Sequence, residues 1–142
     1  MALCASFLLA ACFTASPPPA PHVIAESLVF QTSLTKFIAI ADSDTRDSRL
    51  DWSTDGCSVP VIGSTGRSFN FYSACRRHDF AYRNIGKLDG GKWWTASMRA
   101  RIDAVFKKDM LANCAVRPTT TKRTCVAWAE TFYRAVRAYA GP

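Results

Sequence analysis

Apolar residues recur at helical spacing in four stretches of the chain. No stretch alternates clearly enough to predict a strand. The first stretch, Glu26 to Ala41, carries Leu28, Val29, Phe30, Leu34, Phe37, Ile38 and Ile40, and reads as one helix. The second lies between Phe69 and Ile85, where neither Gly nor Pro interrupts, and predicts a helix ending near Asn84 to Gly86. The third runs from about Trp93 to Asn113, with Trp94, Met98, Ile102, Val105 and Phe106 as its apolar stripe. The fourth, about Lys122 to Tyr139, aligns Cys125, Trp128, Ala129, Phe132, Val136 and Tyr139. Between them, Asp42 to Leu50 is polar and reads as a turn, and Val59 to Arg67 holds Pro60, Gly63 and Gly66 and reads as a loop. Pro118 and the threonines after it predict a hairpin-like loop between Cys114 and Cys125. The fold class is therefore all-α, a small helical bundle.

The second helix organises the rest. At about 100° per residue, Phe71, Cys75, His78, Asp79 and Tyr82 share one face. The aromatics turn that face inward, yet it also carries an imidazole and a carboxylate. A buried charge costs several kcal/mol unless it is paired or bound to a metal, so this face is the natural place for a site. Arg76 and Arg77 are expected at the rim or in solvent.

Composition adds a compartment. Met1 to Cys12 is apolar, rich in small residues and followed by Pro17-Pro18-Pro19. It is too short to span a bilayer and reads as a secretory leader, so residues 1–20 are expected to be leader and Pro-rich spacer and residues 21–142 the domain. Leu9-Ala10-Ala11-Cys12 also fits a lipoprotein cleavage box, but the basic segment expected before it is missing. Of six cysteines, Cys4 and Cys12 fall in the leader. Cys57, Cys75, Cys114 and Cys125 remain, an even number in a small exported chain, which implies two disulfides. Three pairings are possible; Cys57 with Cys75 and Cys114 with Cys125 join neighbours in sequence. A zinc site on Cys57, Cys75, His78 and Cys114 ranks lower, because no paired C-x-x-C is present. The net charge of +7 contains no run of five like charges. That charge could draw the chain to nucleic acid or to an anionic membrane surface, or could simply be a solvated surface, and the lack of such a run weakens the nucleic-acid case.

The chemistry follows from His78. A carboxylate bonded to one ring nitrogen fixes the tautomer and leaves the other free to take a proton. Asp103, at the flank of the third stripe, could supply that carboxylate or could pair with Arg99 or Arg101 at the surface. Asp79 points about 100° away from His78 around the helix and could bind a cation. Asp55 and the Gly56 carbonyl precede Cys57, and together with Asp79 they form an oxygen set that suits calcium. No G-x-S-x-G elbow or other convincing nucleophile exists, so the base should activate water.

Asp51-Trp52-Ser53-Thr54-Asp55-Gly56-Cys57, followed by Ala74-Cys75-Arg76-Arg77-His78-Asp79-Phe80-Ala81-Tyr82-Arg83-Asn84, resembles the secreted phospholipases A2 of bacteria and fungi. Arg101-Ile102-Asp103 and Lys108-Asp109-Met110 extend the likeness, which covers roughly Trp52 to the last helix. The resemblance implies a small helical fold, two disulfides and calcium-dependent hydrolysis of the sn-2 ester of glycerophospholipids. His78 resembles the base and Asp103 its orienting partner. Asp55, Gly56 and Asp79 resemble the calcium ligands, and Tyr82 a supporting residue. It further implies a secreted monomer acting peripherally on a phospholipid bilayer or micelle, aided by basic side chains and exposed Trp or Phe. The chain departs from the family pattern at Ala81, where Gly is usual, at Gly56, where a larger residue is usual, and in a Gly-rich insert around Leu88 to Gly91. A non-catalytic basic protein binding membranes or glycans on the same fold is the alternative.

Overall fold

The computed structural model describes residues 17–56 and 69–139. The apolar leader, Cys57 and the predicted Val59 to Arg67 loop lie outside them. Among the described residues the chain forms five α-helices and no strand: α1 Pro21–Phe30, α2 Leu34–Ala41, α3 Tyr72–Ile85, α4 Ala96–Ala115 and α5 Thr119–Tyr139. A short 3₁₀ turn, Leu88–Gly91, joins α3 to α4. The all-α expectation holds. None of these helices is long and apolar enough to cross a membrane.

Two boundaries differ from the pattern. The single helix expected over Glu26 to Ala41 is two, because the chain breaks at Gln31 to Ser33. Ser33 caps α2 by accepting the Lys36 N–H, and the Thr32 hydroxyl donates to the Ser27 carbonyl at 3.1 Å. Phe30 and Leu34 lie four residues apart, so the apolar stripe continues across the break and hides it. The loop expected between Cys114 and Cys125 is also mostly helix. Only residues 116–118 separate α4 from α5, and the Pro118 carbonyl accepts from both Thr121 and Lys122 at 3.0 Å. The threonines form the first turn of α5. The Cys114–Cys125 disulfide, with Cα atoms 5.6 Å apart, ties the two helices beside that turn.

α3 lies between two apolar clusters. Ala74 and Cys75 face α4 and α5, packing with Phe106, Met110, Ala129 and Phe132. Phe80, Ala81 and Ile85 face α1 and α2, packing with Ala25, Val29 and Phe37. The Ala81 methyl is fully buried in this second cluster, so the departure from Gly is absorbed by the packing. Asp89, Gly90 and Gly91 in the connecting turn take positive φ angles of 52°, 70° and 79°. That turn reverses the chain sharply enough for α4 to return along α3. His78 and Asp103 meet where the two clusters join.

Arg77 is not at the rim. Its side chain is 6% exposed and pairs with Asp109 of α4 through two N–H groups. A third N–H donates to the Thr32 carbonyl at 2.6 Å, in the break between α1 and α2. Arg76 does reach the surface, where it bonds Asp42 at 2.7 Å.

Candidate active site

The α3 stripe and the α4 stripe face each other, which places His78 opposite Asp103. His78 Nε2 lies 2.8 Å from Asp103 Oδ1. Asp103 is fully buried and His78 is 8% exposed. The imidazole is wedged between Tyr82 and Phe106, whose ring centroids lie 4.3 Å and 4.7 Å away. Packing thus fixes the ring's plane and the carboxylate fixes its rotation. Of the surface pairings open to Asp103, neither is realised as a contact in solvent. Arg101 instead stacks on Phe30 at 4.3 Å, and Arg99 is buried with its Nε 3.9 Å from Asp103.

Asp103 uses both oxygens. Oδ1 also accepts from the Tyr82 hydroxyl at 2.8 Å, and Oδ2 accepts from Arg137 of α5 at 2.7 Å. Burial alone would raise the Asp103 pKa. The hydrogen bonds from His78, Arg137 and Tyr82 outweigh it and hold the carboxyl below its ordinary value. An ionised Asp103 can only accept, so the proton on Nε2 belongs to the imidazole. Nδ1 is then left with its lone pair, and no described residue bonds to it. The pair is arranged as a general base with an orienting carboxylate. Burial also pushes the Tyr82 hydroxyl pKa well up, so it stays protonated and remains a donor.

Asp79 occupies the adjacent flank of α3. Its Oδ2 accepts from the Thr54 hydroxyl at 2.5 Å and from the Asp55 backbone N–H at 3.2 Å. Those bonds bring the Asp51–Gly56 stretch against α3, and a second set holds it there. The Asn84 amide donates to the Asp51 carbonyl while its oxygen accepts the Asp51 N–H, each at 2.8 Å. Gly56 ends the described stretch at a φ of 69°, a conformation that suits glycine. Burial, reinforced by the charge of Asp55, raises the Asp79 pKa. No ion pair joins Asp79 to an Arg or Lys among the described residues. A half-buried carboxylate beside a second acid and without a basic partner fits a divalent cation, and its oxygen neighbours are hard donors of the kind calcium takes. The Asp55 carboxylate, however, is directed to Arg83 at 2.9 Å. No group of three or more His, Cys, Asp or Glu side chains is gathered as a metal cage among the described residues.

The structure therefore brings His78, Asp103 and Tyr82 together, sets Asp79 beside them, and places Asp55 and Gly56 within one short segment whose acid faces Arg83. Cys75 is disulfide-bonded, with its partner outside the described residues, as Cys57 is. Sequence reasoning missed Arg137, Thr54 and the Arg77–Asp109 pair. Among the described residues no Trp or Phe is exposed. Among the described residues the large exposed hydrophobics are Val23, Tyr72, Val116 and Tyr139.

Comparison with known proteins bears on the chain as a whole. A family model described as prokaryotic phospholipase A2 matches residues 25–140. A secretory phospholipase A2 of Beauveria bassiana is 34% identical over 118 residues, covering 83% of this chain and 58% of that protein. A secretory phospholipase A2 of Arthroderma benhamiae is 32% identical over 114 residues, covering 80% of this chain and 73% of that protein. The chain thus spans little more than half the length of the first of these relatives.

Proposed function

This chain belongs to the prokaryotic phospholipase A2 family, and on that footing we propose that it is a secreted, calcium-dependent phospholipase A2 cleaving the sn-2 ester of glycerophospholipids. The observation that carries the reading is the 2.8 Å bond between His78 Nε2 and buried Asp103, which leaves Nδ1 as the only ring nitrogen able to accept a proton.

His78 Nδ1 takes a proton from water as the water oxygen attacks the sn-2 carbonyl carbon. Asp103 stabilises the imidazolium that forms, with Tyr82 and Arg137 holding the carboxylate in place. The imidazolium then returns its proton to the departing glycerol oxygen as the ester C–O bond breaks. The products are a fatty acid and a lysophospholipid. Phe106 and Tyr82 flank the ring and restrict water around it. Asp79, Asp55 and the Gly56 carbonyl would hold calcium, with Asp55 turning from Arg83. Calcium held there would supply positive charge for the lipid phosphate and the developing oxyanion. The basic surface draws the protein to phospholipid bilayers or micelles as a peripheral monomer.

Glycerophospholipid carrying distinguishable acyl chains at sn-1 and sn-2 tests the reaction. The sn-2 acid is expected to be released first and alone. Release from sn-1, or none from well-folded protein, contradicts the proposal and favours a binding protein on this fold.

A further inference from the structure

We infer that Arg137, in the last turn of α5, is a positioning residue for the His78–Asp103 pair. The inference rests on the hydrolytic reading above, but its geometry stands apart from it. Asp103 Oδ1 is shared by His78 Nε2 and the Tyr82 hydroxyl, each at 2.8 Å. Two donors on one oxygen leave the carboxylate plane able to swing about that oxygen. The Arg137 Nη1–H donates to Oδ2 at 2.7 Å and closes this freedom. Among the described residues the next Arg or Lys is Arg99, whose Nε is 3.9 Å from Oδ2, beyond hydrogen-bond range.

Arg99 acts on the other side of the contact. Its Nη2 donates to the Val136 carbonyl at 3.1 Å and to the Arg137 carbonyl at 2.8 Å. Its Nε donates to the Tyr82 hydroxyl at 3.3 Å. The backbone that carries Arg137 is therefore held by α4, and the Arg137 side chain in turn holds an α4 carboxylate. This closed circuit runs from α5 through Asp103 to the imidazole. The Arg137 side chain is 36% exposed while Asp103 is wholly buried. The guanidinium thus reaches inward from the surface to meet a charge that water does not reach. A charge-assisted bond of this kind is short and directional, and it places the ring through the carboxylate.

Arg137→Ala and Arg137→Gln in the full chain, with Arg134→Ala as control, test this. Arg134 is exposed on the same helix, so its loss removes the same charge from the same element. Two readings are taken on protein whose helical circular dichroism matches the parent. The first is the low-field N–H proton resonance of His78, which needs no turnover. The second is kcat and KM on phospholipid vesicles. Arg137→Ala is expected to move or broaden the His78 resonance and to lower kcat about tenfold to a hundredfold, as for partners that orient a catalytic ligand. KM should stay within about twofold. Arg137→Gln keeps a donor without the charge and should fall between, and it decides the matter if the alanine variant does not fold. Arg134→Ala should match the parent in both readings. An unmoved resonance with parental kcat in folded Arg137 variants overturns the inference, as does an equal loss in Arg134→Ala. If the parent itself releases no fatty acid, the hydrolytic reading fails and the resonance alone decides the positioning role.

Discussion

Arg77 and Asp109 form a buried, two-pronged ion pair between α3 and α4, and Arg77 is the residue immediately before His78. The pair fixes the distance between the two helices that carry His78 and Asp103. Because Arg77 also takes the Thr32 carbonyl, it secures the break between α1 and α2 to the same point. Burial raises the Asp109 pKa above its ordinary value, and the Arg77 pairing only partly offsets it. The paired N–H donors, one to each oxygen, match an ionised carboxylate.

Removing one partner strands a buried charge. Asp109→Ala should therefore destabilise the fold by about 3–5 kcal/mol. Replacing both residues with apolar ones, Arg77→Met with Asp109→Leu, should recover much of that loss, since no uncompensated charge remains. Chemical denaturation of the two variants and the parent makes the comparison. A double variant no more stable than Asp109→Ala would show that the pair does more than neutralise itself.

Asp103 predicts an acid-sensitive term in stability. Its pKa is lowered from the ordinary 3.8, so around that pH the folded state binds fewer protons than the unfolded one. The stabilisation is complete above 3.8 and is lost as pH falls through the lower folded-state value. Melting temperatures of the parent and of Asp103→Asn, taken from neutral pH downward, should differ most at neutral pH and converge in strong acid. A gap that stays constant with pH would contradict the assignment.

Tyr82→Phe removes one donor from Asp103 and leaves two others, His78 and Arg137. The buried Asp103 oxygen keeps the imidazole bond, so the cost should be about 1–2 kcal/mol in stability. The loss of kcat should stay under about tenfold. Thermal melting and steady-state kinetics on vesicles read these values. A loss as great as that of Asp103→Asn would make Tyr82 a direct participant.

The Cys114–Cys125 disulfide closes a short loop, with a sequence separation of 11. The chain-entropy relation gives about 3 kcal/mol for a closure of that size. Cys114→Ser with Cys125→Ser should lower the melting temperature with the helical signal retained. An unchanged melting temperature would show that the packing of α4 on α5 suffices alone.

Much of this was legible in the chain because it follows from periodicity. Helix spacing put His78, Asp79 and Tyr82 on the inner side of α3 and Asp103 at the flank of the α4 stripe, and chemistry suggested their pairing. What stayed hidden depended on tertiary partners. Arg77 reads as a surface residue until Asp109 appears opposite it. Arg137 sits in the last turn of a basic helix, where no local pattern separates it from Arg134. The break at Gln31 to Ser33 was masked by apolar residues that keep their spacing across it. The Thr run at the start of α5 has weak helix propensity, which packing and the neighbouring disulfide override.

The central claim is that His78, oriented by Asp103 and served by a cation at Asp79, activates water. Fatty-acid release from phospholipid vesicles by the parent and by His78→Asn, each with calcium and with a chelator, tests it most directly. The account predicts release only from the parent with calcium, while His78→Asn keeps the parental circular dichroism. Release by folded His78→Asn, or release by the parent undiminished in chelator, would contradict it.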